Sequence, residues 1–408
     1  MADQSDYTAQ SSSPIVNGDV KIKINDHSFV ATSPFDVADV PYARIDSIEL
    51  SDHVITVRSD DGDFVFKKMG QYTQEFFENL CEAYNKAVLR AFFITGKPIH
   101  KAVGDYRFAD YGKVVSGAKA PVQVYENCVV GLPPNNNARR IPLCFATGID
   151  KGSFEFTMNV GNVSGGNDSY TFARLGNDTE PFARTIEKNL RDVRDKTLAA
   201  IKEFDTSLSA AQYSQLVKLI PEGMAAPMGQ LASIAPSFAA AIESKISKTR
   251  GGESYKVFRE LCGSEKIWVG FRKGNFREEG TEFKAEAEDG QDASDPVVQQ
   301  FLFWMIVPSP CGRYATVEFA ESGTATFVYR TDGDFNKTAM QLNRALEATS
   351  FKREVIRMTD DELLKPENAD YYMAAKRTAS LQYIRKNFAA RIIHTDSWKK
   401  RLLEVWTS

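Results

Sequence analysis

The residue types that most often do chemistry are sparse in this chain and badly spaced for it. The four histidines, His27, His53, His100 and His394, stand apart from one another. The five cysteines, Cys81, Cys128, Cys144, Cys262 and Cys311, contain no CxxC pair. Zinc requires His, Cys and carboxylates at coordinating separations, so no metal ligand is assigned. "DDGDF" (Asp60–Phe64) and "TDGDF" (Thr331–Phe335) cluster acids as calcium loops do. Neither continues into the spaced ligands and closing glutamate of an EF-hand, and both read as turns. The glycines of "GNVSGGNDS" (Gly161–Ser169) sit between two strand-like runs, not at a helix start, so they form a hairpin loop and not a phosphate cradle. No GxSxG elbow occurs either. On these grounds no catalytic residue and no cofactor-binding residue is assigned.

Basic residues offer binding chemistry instead. In "NNNARRIPL", Arg139 and Arg140 read as an exposed turn leading into a strand. Near the C-terminus Lys376, Arg377, Arg385, Lys386, Arg391, Lys399, Lys400 and Arg401 face few acids, while Leu381, Ile384, Phe388 and Ile392 make an apolar stripe at helical spacing. A basic amphipathic helix can contact a membrane surface, an acidic partner or nucleic acid. The contact candidates are Arg385, Lys386, Arg391, Lys399, Lys400 and Arg401. The opposing reading packs the stripe onto the body of the protein and leaves a solvated charged face. That reading is favoured, because Tyr372, Tyr383, Trp398 and Trp406 supply more apolar surface than a free tail tolerates.

The elements that must position such residues belong to several cores. At 408 residues the chain exceeds what one core organises, and 43% hydrophobic with 25% charged residues is the composition of a globular protein. A net charge of -4 gives no global attraction to nucleic acid. An odd number of unpaired cysteines reads as buried thiols in a reducing compartment, which places the chain in the cytoplasm. "FLFWMIVP" (Phe301–Pro308) is far shorter than a spanning helix needs and reads as a buried strand. Residues 1–17 read as a disordered polar leader.

The chain also repeats itself. "FVFKKMGQYTQEFF" (Phe64–Phe77) and "YTFARLGNDTEPFA" (Tyr170–Ala183) align at a constant spacing of 106 residues. Phe64 meets Tyr170, Phe66 meets Phe172, Lys68 meets Arg174, Met69 meets Leu175, Gly70 meets Gly176, Thr73 meets Thr179 and Phe76 meets Phe182. Paired aromatics suit the inward side of a last strand, the glycine suits a bend that needs positive φ, and the threonine suits a helix cap. Upstream, "VKIKI" alternates with period two, with Lys21 and Lys23 on the outward side of an edge strand. Asp61-Gly62 marks a hairpin, and Phe76, Leu80, Tyr84 and Val88 mark an amphipathic helix. Residues 18–95 and 96–205 are therefore two copies of one module, strands closed by a helix. A helical spacer and linker follows over 206–250, punctuated by Pro221, Pro227 and Pro236. Residues 251–350 repeat the element order without the residue matches and are the candidate third copy of the module, and 351–408 is helical.

A meander of short strands closed by one C-terminal helix resembles the bacterial pleckstrin-homology-like domains. "VPYARIDSIELSDHVITVRSDDGDFVFKKMG" carries the likeness best. The resemblance implies an α+β fold of tandem β-barrel or sandwich modules, and a binding function with no cofactor. Lys21 and Lys23 stand where eukaryotic relatives hold phosphoinositides, but the following loop, "NDHS", has no arginine, so that recognition is not expected. The expected function is a scaffold that binds protein partners. The alternative is peripheral attachment to an anionic membrane through the basic C-terminal helix, and a third is an enzyme with a site between domains.

Overall fold

Period-two alternation builds the first sheet. The computed structural model describes residues 6–274, 276–279, 282–285, 300–321, 324–351 and 354–408, which form an α+β protein. Strands β1 (Tyr7–Ser12), β2 (Gly18–Ile24), β3 (Ser28–Thr32), β4 (Val37–Pro41), β5 (Ile45–Ser51), β6 (Val54–Ser59) and β7 (Gly62–Lys67) pair antiparallel in the order β4-β3-β2-β1-β7-β6-β5. Val20 and Ile22 are buried while Lys21 and Lys23 face out. β2 nevertheless lies between β1 and β3, so the edge position expected for its lysines is wrong. The leader expectation is also overturned in part, because Tyr7–Ser12 is a central strand whose inward residues are Tyr7, Ala9 and Ser11. Asp52 and His53 both take positive φ (49° and 60°) in a two-residue hairpin. The next hairpin turns on Asp60 and Asp61, and Gly62, at φ 109°, opens β7 opposite Ser59.

The second sheet repeats this order strand for strand. β8 (His100–Asp110), β9 (Lys113–Val124), β10 (Cys128–Gly131), β11 (Arg139–Pro142), β12 (Ala146–Lys151), β13 (Glu155–Gly161) and β14 (Asn167–Ala173) pair as β11-β10-β9-β8-β14-β13-β12. Helices α1 (Thr73–Ala91) and α2 (Thr179–Phe204) close the respective sheets. Lys68 and Arg174 both adopt positive φ (59° and 56°), as do Gly70 and Gly176 (60° and 62°). The paired aromatics are buried in both copies, and Phe76 and Phe182 are fully buried. Thr73 and Thr179 do not cap their helices as expected. Each hydroxyl instead donates to the carbonyl of Gly70 or Gly176, at 2.8 and 3.0 Å, bracing the short turn before the helix. The α1 stripe of Phe76, Leu80, Tyr84 and Val88 is buried, each such side chain contributing roughly 1.5–3 kcal/mol.

α2 runs beyond its sheet, and Ala200 and Ile201 join the core of the next region. There α3 (Ala210–Leu219), β15 (Ala226–Pro227), α4 (Met228–Ile234) and α5 (Pro236–Ile246) follow. The prolines act as expected, with Pro227 at the N-cap of α4 and Pro236 opening α5. The expected linker does not stay open at its end, "SKTRGGES" (Ser247–Ser254): α6 (Gly252–Cys262) starts inside it, and the Gly251 amide donates to the Ala320 carbonyl at 2.6 Å.

The next strands are β16 (Trp268–Gly274), β17 (Phe276–Glu279), β18 (Glu282–Ala285), β19 (Gln300–Pro308), β20 (Tyr314–Phe319) and β21 (Ala325–Arg330). After them come α7 (Phe335–Ala348), α8 (Glu354–Arg357), α9 (Asp360–Leu363), α10 (Ala369–Arg377), α11 (Ala379–Asn387), β22 (Phe388–Ile393) and α12 (Trp398–Thr407). Among the described residues the third sheet runs β15-β16-β19-β20-β21-β22, with β17 and β18 as a separate hairpin, so it does not reproduce the seven-strand order. The C-terminal region is not wholly helical either, because β22 completes this sheet against β21.

The "FLFWMIVP" run is β19, a central strand. Leu302, Trp304 and Ile306 join the core shared with the first sheet, while Phe303, Met305 and Val307 join the core beneath α4–α6 and α12. Burial on both faces explains the unbroken apolar run. Gly270 is the cross-strand partner of Trp304, and a Cβ there would fall inside the indole. Gly270→Ala is therefore expected to cost about 1–3 kcal/mol by overpacking, read as a lower urea midpoint at unchanged slope.

Candidate functional site

The first two sheets and the third region meet through arginines that the fold buries. β11 carries Arg139 and Arg140 on a short strand beside α7. Arg139 Nε donates to Asp110 Oδ2 at 2.7 Å. Arg140 donates to both carboxylate oxygens of Glu347 on α7, at 2.5 and 2.6 Å, and to its carbonyl at 3.0 Å, with side chains only 5% and 10% exposed. Burial alone would depress the Arg140 guanidinium, but the facing Glu347 outweighs it and holds Arg140 above its ordinary range. One turn earlier on α7, Arg344 reaches back to the second sheet. It donates to Asp168 Oδ2 at 3.2 Å and to the Gly161 carbonyl, and lies over the Tyr111 ring. Burial raises the Asp168 carboxyl above its usual range in spite of that pair.

α10 holds the first sheet by similar means. Arg377 Nη2 donates to the Ile45 carbonyl and to Tyr84 Oη, both at 2.7 Å. Lys376 pairs with Asp46 at 2.8 Å and Asp60 at 2.7 Å. The two repeated sheets also touch directly, since Ile48 N donates to the Pro134 carbonyl at 2.8 Å.

At this junction lies a cavity of about 80 Å³. Its wall includes Arg139, Arg140, Arg344, Arg377, Tyr170 and Ser380. Three of the four arginines have a carboxylate partner, respectively Asp110, Glu347 and Asp168. Arg377 has none among the described residues, and its Nε and Nη1 are buried without a hydrogen-bond partner. Ser380 Oγ, fully buried in the first turn of α11, also has none. Thr378 caps α11 in backbone shape but without a side-chain bond, so the helix N-terminus faces the same space.

This chemistry is donation to negative charge, with no thiolate to act beside it. Burial pushes the Cys128 thiol, a neighbour of Arg140, up to about 11 and the Cys144 thiol well above its ordinary range. Burial, followed by Asp110, raises the Tyr170 phenol likewise. No group of His, Cys, Asp and Glu among the described residues could hold a metal ion.

The sequence reading placed these groups poorly. Arg139 and Arg140 are not an exposed turn. Arg377 was read only as one cation of a basic helix, and nothing in the sequence marked Arg344 or Ser380. The six contact candidates do not share one helix. Arg385, on α11, is held by the Val355 and Met358 carbonyls and by Asp360, at 2.5, 2.8 and 2.7 Å. Lys386 is exposed on α11 and Arg391 on β22. On α12, Lys399 lies 3.7 Å from Glu260 and Lys400 4.0 Å from Glu404, while Arg401 is exposed. The packed alternative is what occurs, with Leu381, Ile384 and Ile392 buried. Of the expected buried thiols, Cys311 is exposed.

No protein-family model matches the chain, and no curated protein matches it either. No helix of the described residues is long and apolar enough to cross a membrane.

Proposed function

We propose that the chain is a non-catalytic scaffold that binds protein partners through two pleckstrin-homology-like modules, one running from Tyr7 through α1 and one from His100 through α2. The observation that carries this reading is the identical seven-strand order of the two sheets, each followed by the same positive-φ bend and closing helix. A third body, built on the β15–β22 sheet, locks the modules in fixed relation through Arg140, Arg344 and Arg377, as a scaffold with defined spacing requires. Surface apolar groups supply contact points. Phe35 is 93% exposed and Val37 61% exposed at the β3–β4 turn, and Phe154 is 79% exposed on the second module. Exposed aromatics of this kind serve as anchors at interfaces.

A photo-crosslinking residue at position 35, introduced in the native cell, tests the reading. One dominant cross-linked protein is expected, and it should disappear when Val37 and Phe154 are changed to serine on the same background. No specific adduct, together with turnover of small molecules by the purified chain, would count against a scaffold. Membrane attachment is the weaker reading, because its cations are divided among α11, β22 and α12. Flotation with acidic liposomes that survived K399E/K400E/R401E would exclude a contact through α12.

A further inference from the structure

The geometry points to an oxyanion site in the junction cavity: a small tetrahedral anion of the phosphate class, enclosed between Arg377, Ser380 and the N-terminus of α11. Charge supplies the first argument. The cavity wall carries four guanidinium groups, three of them ion-paired, and Arg377, 7% exposed and lying over the Tyr84 ring, has no ion pair among the described residues. A buried cation without an ion pair is costly, and a counter-anion lowers that cost.

Hydrogen bonding supplies the second. Arg377 uses only Nη2, on neutral oxygens, while its Nε and Nη1 and the Ser380 hydroxyl are all left unbonded. Buried polar groups are normally satisfied. With Nε of Arg140 and of Arg344 on the same wall, five donor atoms on four residues of one cavity are left without an acceptor, which is what a missing anion leaves behind.

Backbone direction supplies the third. Ser380 lies in the first turn of α11, whose leading amides lack intrahelical partners and whose dipole favours negative charge. Thr378, Ala379 and Ser380 all line the cavity. At about 80 Å³ the space suits a small oxyanion or the phosphoryl end of a larger molecule, and no nucleotide. Because Arg377 and Ser380 belong to the third body while Arg140 belongs to the second module, the anion would sit at the joint between them and tighten it.

Isothermal titration of the full chain with inorganic phosphate, against chloride at matched ionic strength, is the test. The expected result is saturable binding of one phosphate per chain and a rise in the thermal midpoint that chloride does not give. Ser380→Ala removes an unbonded hydroxyl, so the phosphate-free midpoint should be unchanged while affinity falls by roughly tenfold. Arg377→Met should abolish the phosphate response. Methyl phosphate is a second probe: binding tighter than inorganic phosphate marks the phosphoryl end of a larger ligand as the occupant, and weaker binding marks the free ion. If phosphate gives no more than chloride, or if both variants bind as wild type does, the cavity holds water only and the assignment falls. Neither result bears on whether Phe35 contacts a partner.

Discussion

Replacing Glu347 with alanine is expected to lower stability by roughly 3–5 kcal/mol, more than any surface substitution in the molecule. The cost arises because Arg140 stays behind. Its side chain is 5% exposed, and it would lose both carboxylate bonds while keeping only the carbonyl of residue 347. A guanidinium cannot shed its charge to escape, since its proton is held far above neutral pH. Removing both partners should hurt far less: Arg140→Met with Glu347→Leu replaces the pair with apolar groups of similar size. A double-mutant cycle by urea denaturation measures the difference. Equal losses for the single and the double change would mean that packing, and not the stranded charge, sets the cost. Glu347→Gln should fall between, because the amide still accepts one bond but no longer balances the cation.

What could be read from residues alone divides along physical lines. Alternation with strong inward residues was visible, so Val20, Ile22, Phe64 and Phe66 announced their strands. β1 was hidden because its inward side is Tyr7, Ala9 and Ser11, two of them small and one polar. β8 was hidden for a similar reason. Its buried side includes Gly104 and ends on Asp110, which blur the alternation around Tyr106 and Phe108. β22 was misread in the opposite sense. Ile384, Phe388 and Ile392 fall four apart and fit a helix, yet the chain turns extended at Phe388 because β21 offers an unpaired edge. Tertiary pairing overrode local spacing.

The junction cavity was illegible for a different reason. Arg140, Arg344 and Arg377 are far apart in sequence, and arginine is by default a surface residue. Only the docking of α7 and α10 against the two sheets makes them neighbours. The repeat, by contrast, was legible because a positive-φ bend and buried aromatics at fixed spacing constrain residue type position by position.

Acidification from about pH 8 to pH 5 is expected to stabilise the protein through Glu321, and Glu321→Gln is expected to remove that part of the pH dependence. Burial pushes this carboxyl from its ordinary 4.5 up to about 8, against the two bonds of 2.8 and 2.9 Å that it accepts from the Phe303 amide. A carboxyl whose folded pKa lies above its unfolded one holds a proton in the native state that the unfolded state has already lost. Between the two values the native state binds more protons, so stability must fall as pH rises. The contribution is fully present below about pH 4.5, declines through the window and is gone above about pH 8. Allowing for partial exposure, the span is about 2–4 kcal/mol. Burial also raises Glu222 and Asp168, which pull in the same direction, so the absolute curve will not isolate Glu321. The difference between wild type and Glu321→Gln does, since the other groups cancel. Thermal midpoints of the two proteins should converge near pH 5 and separate as pH rises, with Gln the more stable at pH 8. Parallel curves across that range would mean that Glu321 is already ionised in the fold, and that the Phe303 amide alone is enough to hold its charge.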